Sequence, residues 1–307
     1  MPSSTRWPGC TIAFAPRSAE PGLPPTPQVL ALSSALCAAV AAALIQRGLR
    51  GSNFYAGFWI NIVVGMIGLW SAVLLLVPYD EYSWRAVPYF VFSGLVGTTG
   101  GRFFRVVSIQ KVGASVASAI NNLAPLISSG LAILVLGEHV TRPIVAGTMV
   151  IVVGTILLSL SGKHGGFRAR HLVYPLVAAT CFGVVAVARK LGLGYAGPLF
   201  GSAMNITAAM VASSAFVLAS GNRGALRCDR RSLLYFIGGG IAENAGVFLV
   251  LLALGFGDVS VVIPLAGTAP LFVLLFAYLF PSAAEKLSWR IVLGAVLIVL
   301  GVVLLSR

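Results

Sequence analysis

Ten stretches of this chain run apolar for about twenty residues at a time: 28–46, 54–77, 86–108, 113–136, 141–161, 171–189, 196–219, 232–254, 258–280 and 287–305. A helix crossing the hydrocarbon core of a bilayer needs about 20 such residues. The connections between the stretches are short, so neighbours run antiparallel and no soluble domain is left over. The apolar residues follow one another continuously instead of alternating, which excludes a closed β-barrel. The expected fold is an all-α integral membrane protein of ten transmembrane helices.

Composition narrows the function. Of 307 residues, 58% are apolar and 9% charged, with a mean hydropathy of +0.96. Soluble domains carry about 25% charged residues, so an ordinary soluble enzyme, a disordered chain and a secreted disulfide scaffold are all excluded. The 21 Lys and Arg outnumber the 8 Asp and Glu, giving a net charge of +13. They fall mainly between apolar stretches, where basic residues set membrane orientation and meet lipid headgroups instead of nucleic acid. Cys10, Cys37, Cys181 and Cys228 stand singly, and His139, His164 and His171 lack metal-ligand spacing. No metal site or cofactor is expected. Gly192-Leu193-Gly194-Tyr195-Ala196-Gly197 fits GxGxxG, but it follows no strand, and the next acidic residue is Asp229. It is a turn between helices, not a dinucleotide site. No enzymatic apparatus is visible.

The first 27 residues hold seven of the sixteen prolines and lack an apolar signal-peptide core, so they read as a flexible tail. The rest repeats itself. At an offset of 144, Cys37 meets Cys181, Gly57 meets Gly201, and Asn61, Ile62 and Met66 meet Asn205, Ile206 and Met210. At 145, Gly94 and Gly101 meet Gly239 and Gly246, and Ala124-Pro125-Leu126 meets Ala269-Pro270-Leu271. At 147, Glu138, Gly147 and Gly154 meet Glu285, Gly294 and Gly301. Each copy has five spans, an odd number, so the second enters the membrane upside down. Inverted repeats of this kind recur in secondary transporters, where each half closes one side of a shared central site.

The block from Gly94 through Gly97, Val112-Gly113-Ala114-Ser115, Leu123-Ala124-Pro125-Leu126, Leu136-Gly137-Glu138 and Gly147 through Gly154 resembles the EamA-like family of the drug/metabolite transporter superfamily. Gly257-Asp258-Val259-Ser260, Ala269-Pro270-Leu271, Glu285 and Gly294 through Gly301 repeat the pattern. Pro281-Ser282-Ala283-Ala284 replaces the tight turn before Glu285. The resemblance implies two five-helix repeats, 28–161 and 171–306, in the cytoplasmic membrane, carrying small metabolites, often outward. It gives no substrate.

Ionisable residues at membrane depth are functional candidates by default. Glu243 is the carboxylate placed deepest, near the midplane of helix 232–254. The self-alignment sets it against Thr98, and Arg102 follows Thr98 by four residues on one helix face. Arg102 and Glu243 are therefore expected to interact, either as a transport site or as a structural ion pair; Arg105 reads as a boundary residue. Asn61, Asn205, Asn122 and Asn244 are polar groups that need partners or a wet cavity inside the membrane. Pro125, Pro264 and Pro270 are expected helix breaks, and the paired glycines are read as packing faces.

Two sidedness arguments disagree. The odd-numbered connections carry 14 Lys and Arg against 7 elsewhere, which puts both termini outside. The family resemblance puts them in the cytoplasm. The expected function is secondary transport of a small solute by alternating access, most simply as an exporter. Glu243 would be a proton or cation site, and an anionic substrate on Arg102 is an alternative. The rival from another class is a non-transporting assembly or sensor component, with a dry, packed centre. Expected partners are a small-molecule substrate and membrane lipid, with a homodimer left open.

Overall fold

The computed structural model describes residues 26–159, 168–220, 228–279 and 289–305. Most of the Pro-rich tail, the turn through Glu285 and the basic connections around Lys163 and Arg223 lie outside these residues. The described residues are almost wholly helical and contain no strand. Seven helical runs are long and apolar enough to cross a membrane, and Trp289–Leu305 is apolar but shorter. The chain is a multi-pass membrane protein.

Local chemistry sets the helix boundaries. Helix α1 (Pro27–Gly48) begins with a proline, whose missing N–H is unneeded in a first turn. In α2 (Phe54–Leu76), Asn53 caps the start by accepting the Ala56 N–H at 3.0 Å. Helix α3 (Val87–Phe92) runs without a break through a π-helical segment, Ser93–Gly101, into α4 (Arg102–Val112). The π segment holds four glycines, which weaken the α-helical preference. Within it, the Thr99 hydroxyl donates to the Gly94 carbonyl at 3.1 Å. Gly113, at φ +83°, ends the run in a conformation that L side chains resist.

Helices α5 (Ala114–Asn121) and α6 (Ala124–Leu131) form one broken run, extended by a short π turn, Ala132–Leu136. After α7 (Arg142–Ser159) come α8 (Val173–Leu193), α9 (Pro198–Ser220) and α10 (Arg230–Phe256). Helices α11 (Val259–Ala266) and α12 (Ala269–Leu279) make a second broken run, and α13 is Trp289–Leu305. Pro125 and Pro270 each lie in the first turn just after a break. Pro264 does not make a break: α11 runs through it and ends two residues later, because a bend can absorb the lost hydrogen bond without stopping the helix.

Helix α1 packs along α10, α7 along α13, and α2 between α9 and α10, while α8 lies against α6 and the π segment. Polarity is inverted relative to a soluble protein. Ile67, Leu75, Leu134 and Ile241 face outward, and Asn61, Ser93, Thr98, Asn205 and Asn244 are buried. Two buried aromatics fill matching clefts. Phe236 lies against Gly48 and Gly57, where an added Cβ would come within 2.6 and 2.7 Å of its ring. Phe90 lies in the same way against Gly192 and Gly201. These close approaches bring α10 onto α1 and α2, and α3 onto α8 and α9.

Candidate functional site

Glu243 is the fourteenth of the 27 residues of α10, at the middle of the helix. Its Oε1 meets Arg102 Nη2 at 2.6 Å, and its Oε2 accepts a hydrogen bond from Asn61 Nδ2 at 2.6 Å. Both carboxylate oxygens are thus held, one from α4 and one from α2. The Arg102 and Glu243 side chains keep 19% and 27% exposure, so the pair is only partly buried. The guanidinium also lies over the Phe58 ring at 5.8 Å, a distance at which the ring face attracts a cation. Asn244 completes this cluster by donating to the carbonyls of Gly240 at 2.8 Å and Asn61 at 3.1 Å.

A second polar cluster is centred on Asn205 of α9. Its Nδ2 donates to Thr98 Oγ1 at 3.1 Å, and its Oδ1 accepts from Ser93 Oγ at 2.7 Å. Arg189 of α8 donates through Nε to Ser93 Oγ at 2.7 Å and through Nη2 to Asn205 Oδ1 at 3.4 Å. The two clusters correspond: Asn205 Nδ2 donates to Thr98 as Asn61 Nδ2 donates to Glu243, the pairing that the self-alignment gives. Gly101 against Phe182 and Gly246 against Cys37 and Ala38 keep the same offset of 145.

Of the remaining candidates, Asn122 joins neither cluster. Its amide donates to Ser159 Oγ at 3.2 Å, tying the α5–α6 break to α7. The neighbouring Asn121 amide is buried with no partner among the described residues. Arg105, read as a boundary residue, is exposed but lies within Coulomb reach of both Glu243 and Arg102. Arg189 was not singled out from sequence at all. It closes the apolar stretch 171–189 and precedes Lys190, so the pair looks like an ordinary basic membrane boundary. The helix in fact continues to Leu193, and the Gly192-x-Gly194 turn beyond it is the signal that would have placed Arg189 inside. Among the described residues, no group of His, Cys, Asp and Glu has the arrangement of a metal site.

Two further charges fix the junction between α10 and α11. Lys190 Nζ donates to the carbonyls of Leu254 at 2.7 Å and Gly257 at 2.8 Å, where the helix leaves carbonyls unpaired. The Glu138 carboxylate accepts the N–H groups of Val259 at 2.8 Å and Ser260 at 3.0 Å, at the start of α11. This gives a physical role to the Leu136-Gly137-Glu138 motif: an anion seated on the positive end of a helix dipole.

The sequence profile of the EamA-like transporter family matches this chain twice, over residues 26–160 and 170–307. The chain is 24% identical over 161 residues to an uncharacterised transporter of Clostridium kluyveri, a match covering 50% of this chain and 52% of that one. It thus spans about half the length of that relative. It is 28% identical over 103 residues to an uncharacterised protein of Methanocaldococcus jannaschii, covering 33% of this chain and 74% of that one. A crystal structure superposes with a TM-score of 0.78 over 91% of this chain and 95% of its own, at 18% identity, a likeness of fold alone. The chain belongs to the EamA-like transporter family of the drug/metabolite transporter superfamily.

Proposed function

We propose that this protein is a secondary transporter that moves a small metabolite or drug-like solute across the cytoplasmic membrane, outward, by alternating access. Ten spans would form two inverted five-helix repeats, 28–161 and 171–306, with the solute bound at mid-depth between them. The observation carrying the reading is the Arg102–Glu243 pair: two opposite charges in contact near the middle of their helical runs, yet only partly buried. A structural ion pair in a dry seam would be sealed. Desolvation makes such pairs weak contributors to stability, so partial exposure favours a working role over the rival of a packed, non-transporting component.

The corresponding contacts support the inverted-repeat reading. Phe90 against Gly192 and Gly201 mirrors Phe236 against Gly48 and Gly57. The glycines of α7 and α13 cross over in the same sense, Gly147 against Gly301 and Gly154 against Gly294. Alternating access would then exchange which half closes over the pair. Glu243, held by Arg102 and Asn61 in this arrangement, would lose or change partners in the other. Nothing in the reading calls for catalysis or a cofactor.

The test is flux in proteoliposomes loaded with a labelled metabolite extract, comparing wild type with Glu243→Gln. Transport by wild type that is lost in the variant supports the reading. Equal flux with the same pH profile removes Glu243 from the mechanism.

A further inference from the structure

Around the Arg102–Glu243 pair the described residues place two more guanidinium groups, the half-buried Arg189 of α8 and the exposed Arg105 of α4, and no second carboxylate. An arginine cannot shed its proton in a protein. Glu243 is committed to Arg102 at 2.6 Å. Arg189 has only neutral partners: the Ser93 hydroxyl, and the Asn205 amide oxygen that Ser93 also uses. The positive charge of Arg102 lies within Coulomb reach of it. Arg105 shares the field of Glu243 with Arg102 and has no carboxylate of its own among the described residues. Lys190 is accounted for separately by the carbonyls of Leu254 and Gly257. Arg189 therefore carries a positive charge with no counter-charge among the described residues, in a medium where uncompensated charge is costly.

We propose that the solute is a small organic anion bearing a carboxylate, and that Arg189 is its anchor. The inference rests on the transport reading for the same site and adds the chemical class of the cargo. Arg189 spends Nε and Nη2 on Ser93 and Asn205, which fixes the plane of the guanidinium. The remaining N–H groups form the fork that binds a carboxylate in a planar, directional way. Arg102 already seats a carboxylate, that of Glu243, so a solute carboxylate is the same chemistry in the same place. Ser93, beside Arg189, opens the π segment, whereas Arg105 follows Arg102 by three residues in α4. An anion reaching the Arg102–Glu243 pair thus meets the unneutralised charge of Arg189 beside it, whereas a cationic solute is repelled there.

The test uses the full chain in detergent and three carboxylates, benzoate, succinate and pyruvate, each beside its neutral amide and a sodium chloride control of equal ionic strength. At least one carboxylate is expected to raise the thermal unfolding midpoint while its amide and the chloride control do not. Arg189→Gln keeps a donor for Ser93 and should weaken that binding about tenfold or more, the loss expected for a charge-assisted hydrogen bond. Arg189→Lys should restore part of it. The proposal is overturned if no carboxylate acts beyond chloride, if the amides act equally, or if Arg189→Gln binds as wild type does. Flux of the binding carboxylate and of tetraphenylphosphonium into proteoliposomes separates the two readings. Carboxylate binding without flux counts against transport and leaves the anion site standing. Flux of the cation that is untouched by Arg189→Gln keeps transport and sinks the anion.

Discussion

Asn61 donates its amide to Glu243 at 2.6 Å from a helix 182 residues away in sequence, so the carboxylate is held independently of Arg102. Removing the charge and removing the side chain are therefore different experiments. Glutamine at 243 can still accept from Asn61 while offering Arg102 no negative charge. Alanine abandons both partners at once.

Glu243→Gln is expected to fold and insert like wild type, and to lose at least nine-tenths of proteoliposome flux, with what remains insensitive to pH. Glu243→Ala should in addition lower the thermal midpoint, because it leaves both Arg102 and Asn61 without any acceptor at that position. For a fully buried pair that loss is about 3–5 kcal/mol; at 19% and 27% exposure the pair should lose less. Size-exclusion profile, thermal midpoint and flux, measured on the same preparations, separate these outcomes.

Asn205→Asp puts a carboxylate where Arg189, Ser93 and Thr98 converge. The new charge would neutralise Arg189 from within, so the variant is expected to match or exceed wild type in thermal midpoint. Carboxylate binding should fall about tenfold or more, as for loss of a charge-assisted contact. Asn61→Asp, at the matching place in the other cluster, instead sets a second carboxylate beside Glu243, and it should lower the midpoint. Opposite signs for the two substitutions are the expected result, read by thermal unfolding with and without benzoate.

Much of the architecture was legible because long apolar runs admit few solutions in a bilayer, and because Asn61, Asn205 and the paired glycines are too costly or too small to be there by chance. The meeting of Arg102 and Glu243 was readable from depth and helix face. The π-helical winding of Ser93–Gly101 was not, because a π segment leaves no trace in a 3.6-residue periodicity. Arg189 was hidden for another reason: a basic pair at the end of an apolar window looks the same whether the helix stops there or runs another turn. Asn122 looked like a cavity residue, and only three-dimensional contact reveals Ser159 as its partner.

Glu138 joins the end of one helical run to the start of another by accepting from Val259 and Ser260. Hydrogen bonds to a charged group contribute about 1.5–3 kcal/mol each, so Glu138→Ala should lower the thermal midpoint and speed amide exchange in the first turn of α11. Glu138→Gln keeps one acceptor and should fall between. Exchange elsewhere, in α2 for example, is expected to be unchanged; a uniform rise across the protein would mean general destabilisation instead of release of this helix end.

Helices α7 and α13 approach through glycine. A Cβ at Gly154 would lie 2.7 Å from the Gly294 carbonyl oxygen, and one at Gly147 would lie 3.0 Å from the Gly301 carbonyl oxygen. Both obstacles are backbone, which cannot rotate away as a side-chain tip can. Gly154→Val should therefore cost about 1–3 kcal/mol through overpacking and push the two helices apart. Gly68, on the outer face of α2, has nothing within 4 Å of an added Cβ. There Gly68→Ala relieves a flexible helical residue and should gain up to about 1 kcal/mol. The paired thermal midpoints check this directly. If Gly154→Val is as harmless as Gly68→Ala, close glycine contact does not hold α7 to α13.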